Sequence, residues 1–132
     1  MKIVSVILAR GGSKGIPNKN LIDLNGKPLI QYAIEASKRS LVGDETYVSS
    51  DSDNILDVAK GLGSKIIKRP DNISNDLDKS ELSLIDFVNR VDSDIVVFIQ
   101  PTSPMIKSED IDAGVILLRK NKSLNSVLSV YE

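Results

Sequence analysis

Arg10, Lys14 and Lys19 place three cations within ten residues of a chain whose formal net charge is -1. Gly11, Gly12 and Ser13 lie among them. Glycines let backbone amides approach an oxyanion closely and point at it. Guanidinium and ammonium groups supply the charge that a polyphosphate needs. The loop matches neither G-x-x-x-x-G-K-[ST] nor G-x-G-x-x-G, so it is neither a P-loop nor a dinucleotide fingerprint. Composition alone equally allows a Gly-rich turn with solvated lysines.

The chain has no histidine and no cysteine. This removes the commonest general base, the commonest metal ligand, disulfides and a thiolate nucleophile. Chemistry falls to carboxylates, Lys, Arg, hydroxyls, backbone amides or a hard metal held by oxygen. The near-neutral charge provides no global field for nucleic acid or an anionic membrane. No apolar run approaches membrane-spanning length. The absence of cysteine fits a reducing compartment, and the expected location is cytoplasmic.

Further candidates lie at the ends of apolar segments. Gln100-Pro101-Thr102-Ser103-Pro104 directly follows the apolar run Ile95 to Ile99, the place where an α/β site sits. Arg69 precedes Pro70, and Ser80 opens a helical pattern. Asp51 either faces such a site or is a helix-start acid beside Ser52 and Asp53.

These residues need a scaffold, and the pattern supplies one. Ile3 to Leu8 reads as a strand buried on both faces. Pro28 opens a helix with Ile30, Ala33, Ile34 and Ser37 on one face, and Gly43 follows it. Thr46 to Ser49 is a second strand. Ser52 caps a helix carrying Ile55, Val58, Ala59 and Leu62. Ser64 to Ile67 is a third strand, and Pro70 to Asp78 is a loop. Asp78 with Glu81 reads as a capping box before a helix bearing Leu84, Phe87, Val88 and Val91. Ile95 to Ile99 reads as the clearest central strand. Ser108 caps a fourth helix with Ile111, Val115 and Leu118 inward, and Ser126 to Tyr131 is a last strand. The alternation predicts an α/β fold, a three-layer αβα sandwich around a mainly parallel, Rossmann-like sheet.

Leu8 to Asn20, then Leu24-Asn25-Gly26-Lys27-Pro28-Leu29, Val48-Ser49-Ser50-Asp51, Lys68-Arg69-Pro70 and Gln100 to Pro104 resemble the acylneuraminate cytidylyltransferase family. That family comprises CMP-sialic acid synthetases and their pseudaminic and legionaminic acid relatives. The blocks stand in the family's order across nearly the whole chain. A Kdo-type branch usually lacks the Gly-Gly-Ser-Lys-Gly run and carries an acidic residue where this chain has Thr102-Ser103, so the chain sides with the sialic-acid-like branch.

The resemblance implies a strand order 3-2-1-4-5, counting the five predicted strands along the chain. It implies that the backbone at Leu8 and Ala9, with Arg69 and Ser80, surrounds the cytidine of CTP. Arg10, Ser13, Lys14, Lys19 and Asn20 would lie along the phosphates and ribose, with the Gly11-Gly12 amides beside them. Arg10 and Lys19 would be catalytic, and Gln100, Thr102 and Ser103 would face a nonulosonic acid and the nucleotide. The implied reaction transfers CMP from CTP to the anomeric hydroxyl of that sugar acid and releases pyrophosphate. The implied cofactor is Mg2+, held in the family by a late Asp-x-Asp pair. Asp51-Ser52-Asp53, Asp76-Leu77-Asp78 and Asp92-Ser93-Asp94 have the spacing but not the place, so no metal ligand is assigned. Residues 1–132 read as one nucleotide-binding domain that lacks the family's C-terminal part and dimerisation arm, from a homodimeric parent. The alternatives are a nucleotide-binding fragment or paralogue without turnover, or a nucleotidyltransferase for another sugar or nucleotide.

Overall fold

The structure is a computed structural model and describes residues 2–11, 19–40, 45–69, 80–100 and 107–120. Its centre is β1 (Ile3–Leu8), every residue of which is buried. A run of β-branched and leucine side chains without polar alternation suits a strand covered on both faces. β1 pairs in parallel with β4 (Glu45–Ser50) on one side and β6 (Ile95–Ile99) on the other. β5 (Lys65–Lys68) continues the sheet in parallel beyond β4. The order β5-β4-β1-β6 is the predicted 3-2-1-4. The predicted last strand, Ser126 to Tyr131, lies outside the described residues.

Alternate side chains of β1 feed two cores. Ile7 and Ala9 pack with Ile30, Ala33 and Ile34 of α1 (Leu29–Lys38), Ile55 and Ala59 of α2 (Asp53–Gly61), and Ile111 of α4 (Ser108–Lys120). Val4, Val6 and Leu8 pack on the opposite face against Phe87 of α3 (Ser80–Arg90). Three helices thus cover one face and one covers the other, which confirms the αβα sandwich.

Several local expectations change. A small hairpin, β2 (Asp23–Leu24) with β3 (Lys27–Pro28), was not foreseen. Its turn holds Asn25 at φ 54° and Gly26 at φ 87°, the paired positive φ of the Asn-Gly turn that suits the twist of a two-residue hairpin. Pro28 occupies the cap position of α1 rather than its first turn. Gly43 lies outside the described residues, and α1 ends at Lys38. α2 is capped by the Ser52 hydroxyl as expected. It closes on Gly63 at φ 88°, whose amide donates to Lys60 while that of Ser64 donates to Ala59, a Schellman end.

In α3, Val88 faces solvent, because Ser83 and Phe87 define the buried side; Asp78 and the Glu81 side chain lie outside the described residues. For α4, the Lys107 carbonyl accepts from Asp110 and Ile111, so Lys107 holds the cap position and Ser108 lies inside the first turn. β6 is less buried than its apolar sequence predicts, with Phe98 41% exposed, because among the described residues nothing pairs beyond it. Among the described strands β1 is the most buried.

Candidate functional site

The carboxyl ends of all four parallel strands lie along one edge of the sheet. Connections leave β1 towards β4 and return to β6 on its other side, so strand order reverses beside β1. This is where open α/β sheets bind ligands. Leu8, Ala9 and Arg10 leave β1 here, Ser50 and Asp51 leave β4, Lys68 and Arg69 leave β5, and Gln100 leaves β6.

Of the predicted site residues, Leu8, Ala9, Arg10, Gly11, Asn20, Arg69 and Gln100 share this edge. The Leu8 and Ala9 side chains belong to the two cores, and the Ala9 amide donates to the Ser49 carbonyl at 3.0 Å. Arg10 is half-buried. Its carbonyl accepts from the Asn20 side-chain amide at 3.1 Å. Asn20 is buried, so it ties the exit of the first loop back to its entrance. Lys19, exposed, begins a 3-10 turn at that exit. Gln100 is exposed one residue beyond Ile99, which pairs with Ile7. Gly12, Ser13, Lys14, Thr102 and Ser103 lie outside the described residues, as does the side chain of Ser80, the first residue of α3.

Gly11 makes a contact within the chain. Its amide donates to Asp51 Oδ1 at 2.8 Å. A Cβ on Gly11 would lie 2.6 Å from the Ser52 Cβ. Glycine is required here by close approach to the start of α2. Asp51 thereby faces the first loop, the first of the two roles its sequence allowed.

Arg69 is 4% exposed, rare for an arginine unless it meets opposite charge. Its amide donates to the Ser50 carbonyl at 2.9 Å, which sets it level with Asp51. Burial pushes the guanidinium below its ordinary pKa. Asp51 and Asp86 counter this, and Arg10 adds to it. Arg69 is therefore within electrostatic reach of Asp51, Asp86 and Arg10, and the strand ends from β5 to β1 span about 10 Å, two inter-strand spacings.

Asp86 reaches this corner from α3. Its Oδ1 meets Arg90 Nε at 3.1 Å, and Arg90 Nη1 donates to the Lys68 carbonyl at 3.0 Å. Among the described residues, Asp86 Oδ2 and Ser49 Oγ are buried without a hydrogen-bond partner. Buried polar atoms left so cost about 1–3 kcal/mol each and gather at functional sites. The i, i+4 spacing of Asp86 and Arg90 was a readable signal that the sequence reading did not use.

A family model described as Cytidylyltransferase matches residues 4–131. The chain belongs to the cytidylyltransferase family. N-acylneuraminate cytidylyltransferase A of Danio rerio is 39% identical over 97% of this chain and 30% of its own length. The 3-deoxy-manno-octulosonate cytidylyltransferase of Chloroherpeton thalassium is 33% identical over 94% of this chain and 49% of its own. A solved CMP:2-keto-3-deoxy-manno-octonic acid synthetase complexed with CTP superposes with a TM-score of 0.84. It is 30% identical, covering 94% of this chain and 50% of that one. The chain thus spans half or less of the length of these relatives. Within this cytidylyltransferase-family chain, no group of three or more carboxylates among the described residues could hold a metal ion. No described helix is long and apolar enough to cross a membrane.

Proposed function

We propose that residues 1–132 are the nucleotide-binding portion of a cytidylyltransferase that transfers CMP from CTP to a sialic-acid-like nonulosonic acid. The observation that carries this reading is the buried Arg69, anchored by its amide to Ser50 at the strand ends where Arg10 also leaves β1, in a chain of near-zero net charge. Arginines brought to the ligand-binding edge of such a sheet favour an anion there. Membership of the cytidylyltransferase family makes CTP the anion of choice, and the superposable synthetase is described as complexed with CTP. Identities to the acylneuraminate and octulosonate enzymes overlap, so what favours the sialic-acid-like branch is the Gly11-Gly12-Ser13-Lys14-Gly15 run with Thr102-Ser103.

In the proposed reaction the anomeric hydroxyl oxygen of the sugar acid bonds to the α-phosphorus of CTP. The bond from that phosphorus to the bridging oxygen breaks, and pyrophosphate leaves with its electron pair. The hydroxyl proton passes to solvent. Arg10 and Lys19 neutralise charge on the phosphates, Arg69 lines the base end, and Gln100 faces the sugar acid. Positioning and charge neutralisation are the protein's contributions. The parent enzyme would act as a homodimer.

Calorimetric titration of the 132-residue chain with CTP and with ATP tests the reading. Selective CTP binding is expected, and equal binding of the two nucleotides overturns it. Pyrophosphate release measured with a panel of nonulosonic acids and with 3-deoxy-manno-octulosonate then assigns the sugar. Release confined to the octulosonate would move the parent to the other branch. Binding without release from any sugar would make this chain a nucleotide binder without turnover.

A further inference from the structure

We infer that Asp51 is a positioning residue of this site: one carboxylate holds the start of the first loop through the Gly11 amide, next to Ser50, to which the buried Arg69 is anchored, so both ends of the nucleotide site share an anchor. The inference rests on the CTP reading above. It begins from an electrostatic conflict. A carboxylate beside a phosphate site repels the ligand by Coulomb's law, so a carboxylate kept there needs a task.

Two tasks were open, and the geometry separates them. A helix-start acid would accept from the first amides of α2. That position belongs to Ser52, whose Oγ accepts from Ile55 N at 3.4 Å. The Asp51 carboxylate turns away and accepts from Gly11, forty residues earlier in the chain, at 2.8 Å. The surroundings fix it from several sides. Lys68 Nζ donates to the Asp51 carbonyl at 2.9 Å and to Asp53 Oδ1 at 2.8 Å. Ser52 N donates to Ser50 Oγ at 3.0 Å. Gly11 lies against Ser52 so tightly that no Cβ fits. The loop is clamped onto the head of α2, with the Asp51 bond as the polar part of the clamp.

The same carboxylate belongs to the electrostatic surroundings of Arg69. Arg69 is anchored through its amide to Ser50, the residue before Asp51. Shifting Asp51 would therefore move the base of the first loop and change the field around Arg69 together. Asp86 is the other carboxylate there, and its ion pair with Arg90 fastens it to α3. Of these two carboxylates, Asp51 is the one bonded to the first loop.

The test uses the full 132-residue chain, with Asp51→Ala and Asp51→Asn. Asparagine keeps an oxygen to accept from Gly11 but removes the charge. Asp51→Ala is expected to weaken CTP binding by about tenfold or more, the loss of a charge-assisted hydrogen bond. Asp51→Asn is expected to recover most of it, within about threefold of wild type. Both should melt cooperatively. Equal CTP affinity in Asp51→Ala and wild type, or a lowered melting temperature with unchanged affinity, overturns the inference. Amide hydrogen exchange on the wild-type chain decides the matter even if Asp51→Ala does not fold. Slow exchange at Gly11, with and without CTP, is expected. Exchange there at the rate of an unstructured peptide overturns the inference. If the wild-type chain does not prefer CTP to ATP, the proposed function fails. The Gly11 exchange rate still reports on the clamp by itself.

Discussion

The two faces of the sheet are built differently. The face under α1, α2 and α4 is a mainly aliphatic core of isoleucine, alanine and valine, with the small hydroxyls of Ser5, Ser37 and Ser50 buried beside it. The face under α3 rests on fewer apolar groups, chiefly Phe87 against Val4, Val6 and Leu8, with the Tyr47 ring edge-on to Phe87 at 5.4 Å between centroids. Around that smaller core lie Ser49, Ser83 and Arg69, all buried, and the half-buried Asp86. Burying polar and charged groups costs stability unless partners compensate. The contrast teaches a division of labour among the described residues: one face supplies most of the aliphatic packing, and the other carries the charged Arg69 and Asp86 towards the strand ends.

That division can be broken experimentally. The largest effect should come from the aliphatic face. Ile55→Ala should lose about 2–5 kcal/mol of unfolding free energy in urea, the range for emptying a buried aliphatic site. Its folded fraction should bind CTP as wild type does. Arg10→Ala should show the reverse, with CTP binding weaker by about tenfold or more and little change in melting temperature. Parallel losses in both measurements would make Arg10 structural and erase the contrast. Gly26→Ala should cost about 1 kcal/mol, because alanine resists the positive φ that the hairpin turn imposes. It should leave nucleotide binding untouched.

The smallest effect concerns pH. The hydrogen bond from Lys65, then that from Tyr47, holds the Glu45 carboxyl at about 2, below its ordinary 4.5. A folded value below the unfolded one means stability present above about pH 4.5 and lost as pH falls towards about 2. Glu45 is exposed to solvent screening, so the slope should be slight. Comparing urea midpoints between pH 6 and pH 3 should show Glu45→Gln flatter than wild type.

The sequence carried the alternation of strands and helices because buried segments leave long apolar runs and caps leave short polar ones. β1, α1, α2 and β4 follow directly from such runs. It carried the degree of burial less directly. Apolar composition in Ile95 to Ile99 reports what a strand is able to bury, whereas neighbours decide what it does bury, and Phe98 is left exposed on the described sheet. Val88 was read inward for a similar reason: a helix rich in apolar residues offers more than one candidate face, and only packing selects Phe87 and Ser83. The hairpin was legible in Asn25-Gly26 but was passed over. At the site, the loop cations, Arg69 and the Gln100 segment were visible as residue types at strand ends. The work of Gly11 and Asp51 was not, because a hydrogen bond across forty residues depends on which strands become neighbours.

The Gly11–Asp51 bond also bears on the order of assembly. It cannot form until β1 and β4 have paired across the intervening crossover helix, since only that pairing brings the two residues together. Closing a loop of this length costs entropy before the contact returns anything. Gly11 thus takes its place against Asp51 only after the β1–α1–β4 unit has condensed. Nascent chains ending short of residue 51 would display all the loop's cations and still lack a defined pocket for them.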